Sequence, residues 1–347
     1  MSSFGSLNTA LTALRFQQTS MDVASTNVAN VATEGYVRRR VVGQTLGAAA
    51  QPALWAHNTD VGSGVTSRGV QRMTDALLDA RQRREHAAQR YLDLTSEVLA
   101  RVETGLGEPG ENGVAAAIDG FRSALHDLGN NPGSAATRSQ VLSAAGTLAN
   151  AIGLQARHFH GEMADQGVRL QVGLSEANRL ASDLAKTNTT IAAGKGTDTS
   201  SLLDTRDRLP LPLPELPGAP ATIQEDGQMT VTLHGEPLVV GDQASSLVAT
   251  GGFDASGVLD GEQITFAVDD GSGPVALDGP LGGELGAVGN LVNTVLPHYL
   301  TELDALAVQL ADSVNAQHTQ GYDQLGDIGG DLFSYDPDDP AGSLAVA

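Results

Sequence analysis

Residues 24–36 read Ala24-Ser-Thr-Asn-Val-Ala-Asn-Val-Ala-Thr-Glu-Gly-Tyr36 and directly follow a run that is typical of an amphipathic helix. Asparagine tolerates left-handed backbone conformations and its side chain bonds nearby backbone groups, so Asn27 and Asn30 are suited to a helix end. Gly35 permits a positive φ angle. The simplest interpretation is a helix C-terminus followed by a turn.

The helix before this turn carries one regular stripe. Its members recur at alternating steps of four and three residues: Leu7, Leu11, Leu14, Gln18, Met21, Ser25 and Val28. This spacing aligns side chains along one face of a helix, as in helices that pack against a partner helix. We therefore predict an assembly segment in which this stripe, without Ser25, forms the interface.

The turn itself follows the pattern N-x-x-N-x-x-T-x-G-Y, which is formed by Asn27, Asn30, Thr33, Gly35 and Tyr36. The pattern resembles the N-terminal signature of the flagellar axial proteins, a family of rod, hook and hook-associated proteins. The resemblance implies that the first helix polymerises along a common axis with other helices. It also implies that the five signature residues mark the boundary between that helix and the body of the protein.

Composition limits the class of protein. The chain has 347 residues, of which 41% are hydrophobic and 4% aromatic, enough for two or three domains packed mainly by Leu, Val and Ala. It has no cysteine, which excludes disulfides, thiolate metal sites and cysteine nucleophiles. The sequence also predicts neither a classical signal peptide nor a membrane anchor, since it lacks an apolar run of roughly 18 residues.

Charge is divided unevenly along the chain. All 20 basic residues lie within 1–208, whereas 209–347 hold 21 of the 41 acidic residues, so the net charge of −21 resides in the last part. Such a surface repels phosphate backbones and anionic lipids, which argues against nucleic-acid and membrane partners. We interpret it as a solvated outer surface rather than a cation site.

Periodicity predicts three further helices between residues 70 and 193. Residues 70–102 predict a long helix, residues 113–128 a second one, and residues 134–193 a third of unusual length with near-heptad apolar spacing. Such lengths favour extended antiparallel helical packing.

The pattern changes after residue 209. Prolines at 210, 212, 214, 217 and 220 preclude a regular helix, and residues 229–233 and 263–268 alternate as strands do. Residues 281–321 return to a helical pattern, which Pro297 interrupts with a kink or a helix restart at Leu296.

The expected fold is mainly α with an inserted antiparallel β domain, in the form of a long antiparallel helical bundle plus a small β-rich outer domain. The expected boundaries are 1–36 for the assembly helix and signature, 37–69 for an extended linker, 70–209 for the helical bundle, 210–280 for the β domain, 281–321 for a returning helix, and 322–347 for the start of a truncated segment.

Three later segments extend the resemblance over most of the chain. Residues 201–209 (Ser-Leu-Leu-Asp-Thr-Arg-Asp-Arg-Leu), 282–286 (Gly-Gly-Glu-Leu-Gly) and 306–323 are similar, in this order, to the hook-associated members that join the hook to the filament. Simple rod and hook proteins do not carry this set. The resemblance implies coaxial terminal helices and assembly into a ring of identical subunits.

The same resemblance implies the partners and the location. Partners would be further copies of the chain, the hook protein, a second junction protein or flagellin, and an export chaperone. The protein would leave the cell unfolded through the flagellar type III apparatus and become an extracellular part of the flagellum.

Two departures from the family pattern stand out. Pro210-Leu-Pro-Leu-Pro214 breaks a segment that usually continues as a helix. The family also has a C-terminal helix that packs coaxially with the first one, and none is present, so we expect a truncated chain. The stripe from Leu7 to Val28 would then be mobile or would borrow a partner from another molecule.

Candidate catalytic and metal sites are weak. His158 and His160 point about 200° apart on a helix and are not expected to hold one ion. Asp323, Asp327 and Asp331 do not match the ligand spacing of a calcium loop, although weak cation binding stays open. His318 is interpreted as part of a helix-ending turn. We predict no catalytic, cofactor or metal site and no enzymatic activity.

Two alternatives to a hook–filament junction protein stay open. The first is a hook or distal-rod protein, against which residues 201–209 argue. The second, from a different class, is a secreted adhesin or hydrolase whose function is carried by the β domain.

Overall fold

The computed structural model describes residues 3–33, 36–47, 64–111, 113–194, 200–208, 217–253, 259–322 and 326–347. In chain order the elements are α1 (Ser3–Ala29), β1 (Arg39–Leu46), β2 (Gly64–Arg72), α2 (Ala76–Leu106), α3 (Val114–Asn130), α4 (Ala135–Ala193), α5 (Ser200–Arg208), β3 (Ala221–Ile223), β4 (Met229–Leu233), β5 (Glu236–Val240), β6 (Gln243–Ala244), β7 (Ser246–Thr250), β8 (Thr265–Asp269), β9 (Pro274–Ala276), α6 (Gly283–Asn290), a π-helical segment (Leu291–Val295), α7 (Leu296–His318), β10 (Phe333–Ser334), α8 (Pro340–Ser343) and β11 (Ala345–Val346).

The chain divides into two compact units. The first comprises residues 1–85, 179–214 and 220–245, and the second comprises residues 86–178, 215–219 and 246–347. The predicted fold class is confirmed, because long helices carry several small antiparallel sheets. None of the helices within the described ranges combines the length and the apolar character that crossing a membrane requires.

The long central helix is confirmed almost to the residue, since α4 spans 59 residues from Ala135 to Ala193. Its apolar side chains recur at near-heptad spacing and most are buried as the pattern predicts, although Leu142 is 50% exposed. The fully buried members include Leu148, Ile152, Phe159, Leu170 and Leu184. Burying a leucine or phenylalanine side chain contributes about 1.5–3 kcal/mol, so tertiary packing rather than helix propensity stabilises this helix.

Residues 37–69 are not simply a linker, and this expectation is corrected. Strands β1 and β2 pair as antiparallel neighbours with Arg39 opposite Arg72. The hairpin lacks a clean polar–apolar alternation, since an irregularity between Val42 and Gly43 shifts its register. Helix α1 packs against both strands. Strand β2 also takes residues 70–72 from the expected helical bundle, and α2 begins only at Ala76.

The single β domain expected for residues 210–280 is likewise corrected. Strands β3–β6 form a four-stranded sheet and β7–β9 a separate three-stranded sheet, and the two sheets belong to different units. The strand predicted for residues 229–233 is confirmed, while the second begins two residues later than predicted, at Thr265. Prolines 210, 212 and 214 lie outside the described residues.

Helix-borne asparagines fix the strands in place. In each case one carboxamide donates its Nδ2–H to a backbone carbonyl and accepts the N–H of the same residue on its Oδ1, as a neighbouring strand would. The pairs are Asn27 with Arg39, Asn178 with Leu247, Asn188 with Met229, Asn293 with Ile264, and Asn315 with Phe333. Every pair lies within one unit.

The predicted interruption near Leu296 is confirmed. Helix α6 widens into the π-helical segment Leu291–Val295 immediately before Pro297. Proline lacks a backbone N–H and its ring crowds the carbonyl four residues earlier, so the preceding turn cannot stay a regular α-helix. Asn293, whose side chain bonds both backbone groups of Ile264, lies in this widened turn.

The C-terminal residues form short elements against α7. Strand β11 pairs with β10, with Phe333 opposite Val346 and Ser334 opposite Ala345. Asn315 accepts the N–H groups of Leu332 and Phe333 and thereby joins β10 to α7. Helix α7 ends at His318, as the sequence predicts.

Candidate assembly site

Helix α1 has two different faces. One face contacts β1 and β2, with the Phe16 ring lying over Gly43, where a Cβ atom would stand 3.2 Å from the ring. The opposite face carries the predicted stripe. Its large apolar members are exposed to 70% at Leu7, 45% at Leu11, 68% at Leu14, 72% at Met21 and 74% at Val28. Gln18 is exposed between them.

The exposed stripe is unusual for a helix that is anchored along its other side. Side chains of this size normally turn toward the core, and a row of them on the surface marks an interaction site. The hairpin therefore holds α1 in one orientation and leaves the stripe accessible.

Asn27 is the centre of the signature. Its Nδ2 donates to the carbonyl of Arg39 at 2.8 Å, and its Oδ1 accepts the N–H of Arg39 at 2.9 Å. The Tyr36 hydroxyl donates to the same Oδ1 at 3.0 Å. The Arg39 guanidinium lies 5.2 Å from the centre of the Tyr36 ring, close enough for a cation–π contact. Asn27 thus fixes the start of β1 to the end of α1.

Asn30 and Thr33 shape the turn. Asn30 donates to the carbonyl of Thr26, and the Thr33 hydroxyl donates to Asn30 Oδ1 at 3.2 Å. These bonds terminate the helix by satisfying polar groups locally, as expected for such residues. Gly35 lies outside the described residues.

A carboxylate from α5 joins this turn to the body of the first unit. Arg39 and Arg72 face each other across β1 and β2, and like charges directly opposite in a sheet repel. Asp204 accepts Arg39 Nη2 at 2.5 Å and Arg72 Nε at 2.9 Å. The Asp204 side chain is only 12% exposed, so its charge is poorly screened by water.

Asp207 extends the ion network. Its two oxygens accept Arg72 Nη2 at 2.6 Å and Arg206 Nε at 2.8 Å. The Arg206 guanidinium also donates to the carbonyl of Gly227, in the turn before β4. We call Arg39, Arg72, Asp204, Arg206 and Asp207 the clamp. It connects the signature, both strands of the hairpin and the four-stranded sheet.

Helix α2 adds two partly buried charges, Asp79 and Arg83, near the clamp. Burial raises the pKa of the Asp79 carboxyl, although the neighbouring Arg83 opposes the shift. Burial also lowers the pKa of the Arg83 guanidinium, against the attraction of Asp79 and Asp207. The arginine still stays protonated at neutral pH, so this part of the network holds permanent charge.

The residues weighed for metal binding do not converge. His158 is half-buried with its ring over Gly105, and His160 is exposed. The described residues contain no group of three or more His, Asp or Glu side chains that could hold one metal ion. Asp323 lies outside the described residues.

Sequence reasoning missed the clamp and the strand-pinning asparagines. Residues 201–209 are prominent in the sequence, but nothing there indicates that Asp204 meets two arginines more than a hundred residues earlier. The sequence did contain one indication of the clamp. Arg39 begins the first strand and Arg72 ends the second, so the two positive charges meet when the strands pair and require a carboxylate nearby.

Comparisons with known proteins place the chain among flagellar proteins. A sequence profile described as flagella basal body rod protein matches residues 7–36, which contain α1 and the signature. A second profile, described as flagellar hook-associated protein FlgK helical domain, matches residues 99–333. Since this match covers more than half of the chain, the chain belongs to the family of the flagellar hook-associated protein FlgK.

Individual relatives agree with this assignment. The chain is similar to flagellar hook-associated protein 1 of Salmonella typhimurium, with 28% identity over 342 residues that cover 94% of the chain and 59% of the relative. The corresponding protein of Escherichia coli K12 is 27% identical over 338 residues, with 94% and 59% covered. That of Bacillus subtilis is 26% identical over 358 residues, with 96% and 71% covered. The chain therefore spans about three fifths of the length of the first two relatives.

A solved structure also resembles the fold. The flagellar hook junction protein FlgK from Burkholderia pseudomallei matches with a TM-score of 0.64 and 28% identity, covering 76% of this chain and 47% of that protein.

Proposed function

We propose that this protein joins hook to filament in the bacterial flagellum by polymerising into a ring through its first helix. The observation that carries the proposal is the division of α1 into a face held by the hairpin and an exposed apolar stripe. A helix presented in this way is ready to pack against helices of neighbouring subunits, and the relatives are named as hook-associated or hook junction proteins.

The proposed partners are further copies of the chain, the hook protein, a second junction protein or flagellin, and an export chaperone. Export would proceed through the flagellar type III apparatus to the outside of the cell. The mechanism is binding rather than turnover, in which the clamp and Asn27 set the angle at which α1 leaves the body.

A hook or distal-rod role is less well supported. The rod-protein profile covers residues 7–36 alone, whereas the profile of the FlgK helical domain spans residues 99–333.

Deletion of the gene tests the proposal. We expect cells that keep their hooks but release unpolymerised filament subunits into the medium, because filaments have no attachment point. Reintroducing the gene should restore filaments and swimming. Normal filament number and length in the deletion strain would overturn the proposal.

A further inference from the structure

A second surface in the first unit has apolar residues exposed beside positive charge. Leu77 and Leu78, in the first turn of α2, are exposed to 83% and 63%, and Met73 just before them to 48%. Asp75 accepts the N–H groups of Leu77 and Leu78 at 3.0 and 3.3 Å and thereby caps the helix. The cap fixes the direction in which both leucines leave the surface.

Two arginines accompany these leucines. Arg81 and Arg84 are exposed one and two turns further along α2. The Arg81 side chain is 71% exposed and lies 3.8 Å from Glu85, a distance at which a surface ion pair contributes little. Positions 77, 81 and 84 follow the four-and-three spacing of a helix stripe. We call Met73, Leu77, Leu78, Arg81 and Arg84 the basic face.

The second unit carries a cavity of opposite charge. It measures about 600 Å³, and the apolar side chains of Met163, Val292 and Leu300 are among those that line it. Three carboxylates line it, those of Asp260, Glu262 and Asp304. The other side chains around it include His160, Asn293 and Thr301. We call this the acidic cavity.

We propose that the basic face of one subunit docks in the acidic cavity of a second copy of this chain. Leucine side chains can pack against the apolar lining, and arginines can pair with its carboxylates. Asp260 and Asp304 each use one oxygen to accept a backbone N–H of their own subunit, from Glu262 and Ala341, and the other oxygen is left for an arginine. The composition supports this pairing, because residues 209–347 contain 21 acidic residues and no Lys or Arg. Any Lys or Arg of this chain that pairs with these carboxylates therefore lies within residues 1–208.

The contact joins two different surfaces and is therefore heterologous. Heterologous contacts repeat from subunit to subunit and close into rings or continue as helical arrays, whereas a self-complementary contact stops at a dimer. The inference rests on the proposed ring and assigns one of its contacts to residues outside α1.

The absence of cysteine from the sequence permits a cross-linking test in assembled flagella. One full-length copy would carry Leu77→Cys, and a second copy with a size tag would carry Thr301→Cys. We expect a disulfide-linked heterodimer when both are coexpressed and oxidised, and none when either is expressed alone. Cross-linked dimers from Leu77→Cys alone, or no heterodimer in flagella that contain both copies, would overturn the contact.

Charge reversal tests the electrostatic part. Arg81→Glu with Arg84→Glu in the Leu77→Cys copy should reduce the heterodimer about tenfold, because glutamates then face carboxylates. Asp260→Arg with Glu262→Arg in the Thr301→Cys copy should restore it. An unchanged heterodimer yield after the first pair of substitutions, or no recovery after the second, contradicts the proposed pairing.

The two proposals fail in different ways. Loss of the heterodimer signal in flagella that still attach filaments would remove the contact and leave the junction role intact. Normal filaments in the deletion strain would instead remove the junction role.

Discussion

At five positions in the described part of the chain, an asparagine side chain holds a strand through both backbone groups of one residue. A carboxamide carries one donor group and one acceptor, so it can replace a neighbouring strand for a single residue, which neither aspartate nor leucine can do. Asn27 of the signature is one of these five. Its presence in the motif therefore has a physical reason, since the chain must be held where α1 ends and β1 begins.

Asn188 offers the cleanest test of this role. It is fully buried and bonds both backbone groups of Met229 as well as the carbonyl of Gly241. Asn188→Asp leaves these two carbonyls facing an acceptor, so the free energy of unfolding should fall by about 3 kcal/mol. Urea denaturation followed by circular dichroism measures it.

Asn150→Asp is the matched control, because Asn150 is exposed on the same helix. It should change the free energy of unfolding by less than about 0.5 kcal/mol. Equal effects of the two substitutions would contradict the pinning role of Asn188.

The clamp determines whether the hairpin stays closed. In Asp204→Asn the like charges of Arg39 and Arg72 lose the carboxylate between them, so β1 and β2 should separate more often. Hydrogen exchange of the backbone amides in β1 should become at least about tenfold faster, as local opening requires less free energy.

Asp183→Asn serves as the control for this substitution. Asp183 also bonds two basic side chains, Arg179 and Lys186, but on the exposed surface of α4. Exchange in β1 should not respond to it. Unchanged exchange in Asp204→Asn would contradict the role of the clamp in keeping the hairpin closed.

At the scale of whole elements, helix register and strand pairing were not equally predictable. Helix α4 could be predicted from the sequence because its apolar residues recur at the same spacing over many turns. The hairpin was not, since its strands are covered by α1 and its charges are neutralised by α5, both distant in sequence. The split of the β region into two sheets also depends on asparagines of α4, whose partners local patterns do not reveal.

Helices α2 and α4 are joined in the second unit by a buried charge. Glu162 is 5% exposed at its side chain and accepts Arg101 Nη2 at 2.7 Å, Arg101 Nε at 3.1 Å and Gln166 Nε2 at 2.7 Å. Burial tends to raise the pKa of Glu162, but the hydrogen bonds from Arg101 and Gln166 outweigh it and lower the pKa.

This lowered pKa predicts the pH dependence of stability. Because the folded pKa lies below the ordinary value of 4.5, the carboxylate stabilises the fold fully above that pH and loses its effect as the pH falls through the folded pKa. Glu162→Gln should lower the free energy of unfolding at pH 7 by about 2 kcal/mol, with a difference from wild type that shrinks in acid.

Denaturant titrations at a series of pH values measure this difference. Glu103→Gln, an exposed position on α2, should leave the pH profile unchanged. A difference between Glu162→Gln and wild type that stays constant from pH 7 to acid would refute the assignment.

For the whole molecule, the sequence predicted the class and most helices, while the clamp required the structure. The signature and the stripe lie within one helix and its turn, so local spacing is sufficient to find them. Their connection to residues 201–209 exists only in the folded chain, where Asp204 reaches Arg39. The exposed stripe adds what the pattern alone left open, because it identifies which face of α1 is free once the hairpin has packed.

The central claim is that the stripe of α1 assembles the protein into the flagellum. Leu14→Glu with Met21→Glu places two charges on the exposed stripe, where burial in a helix–helix contact would be costly but the isolated fold is undisturbed. Ala13→Glu with Thr26→Glu adds the same charges at exposed positions of α1 that lie neither three nor four residues from any member of the stripe. Both variants should match the wild type in circular dichroism and in thermal unfolding.

The decisive measurement is filament attachment when each variant is expressed in the deletion strain. We predict that the stripe variant leaves hooks bare and filament subunits in the medium, while the Ala13 and Thr26 variant attaches filaments normally. Filaments attached as in the wild type by the stripe variant would contradict the assembly role of α1.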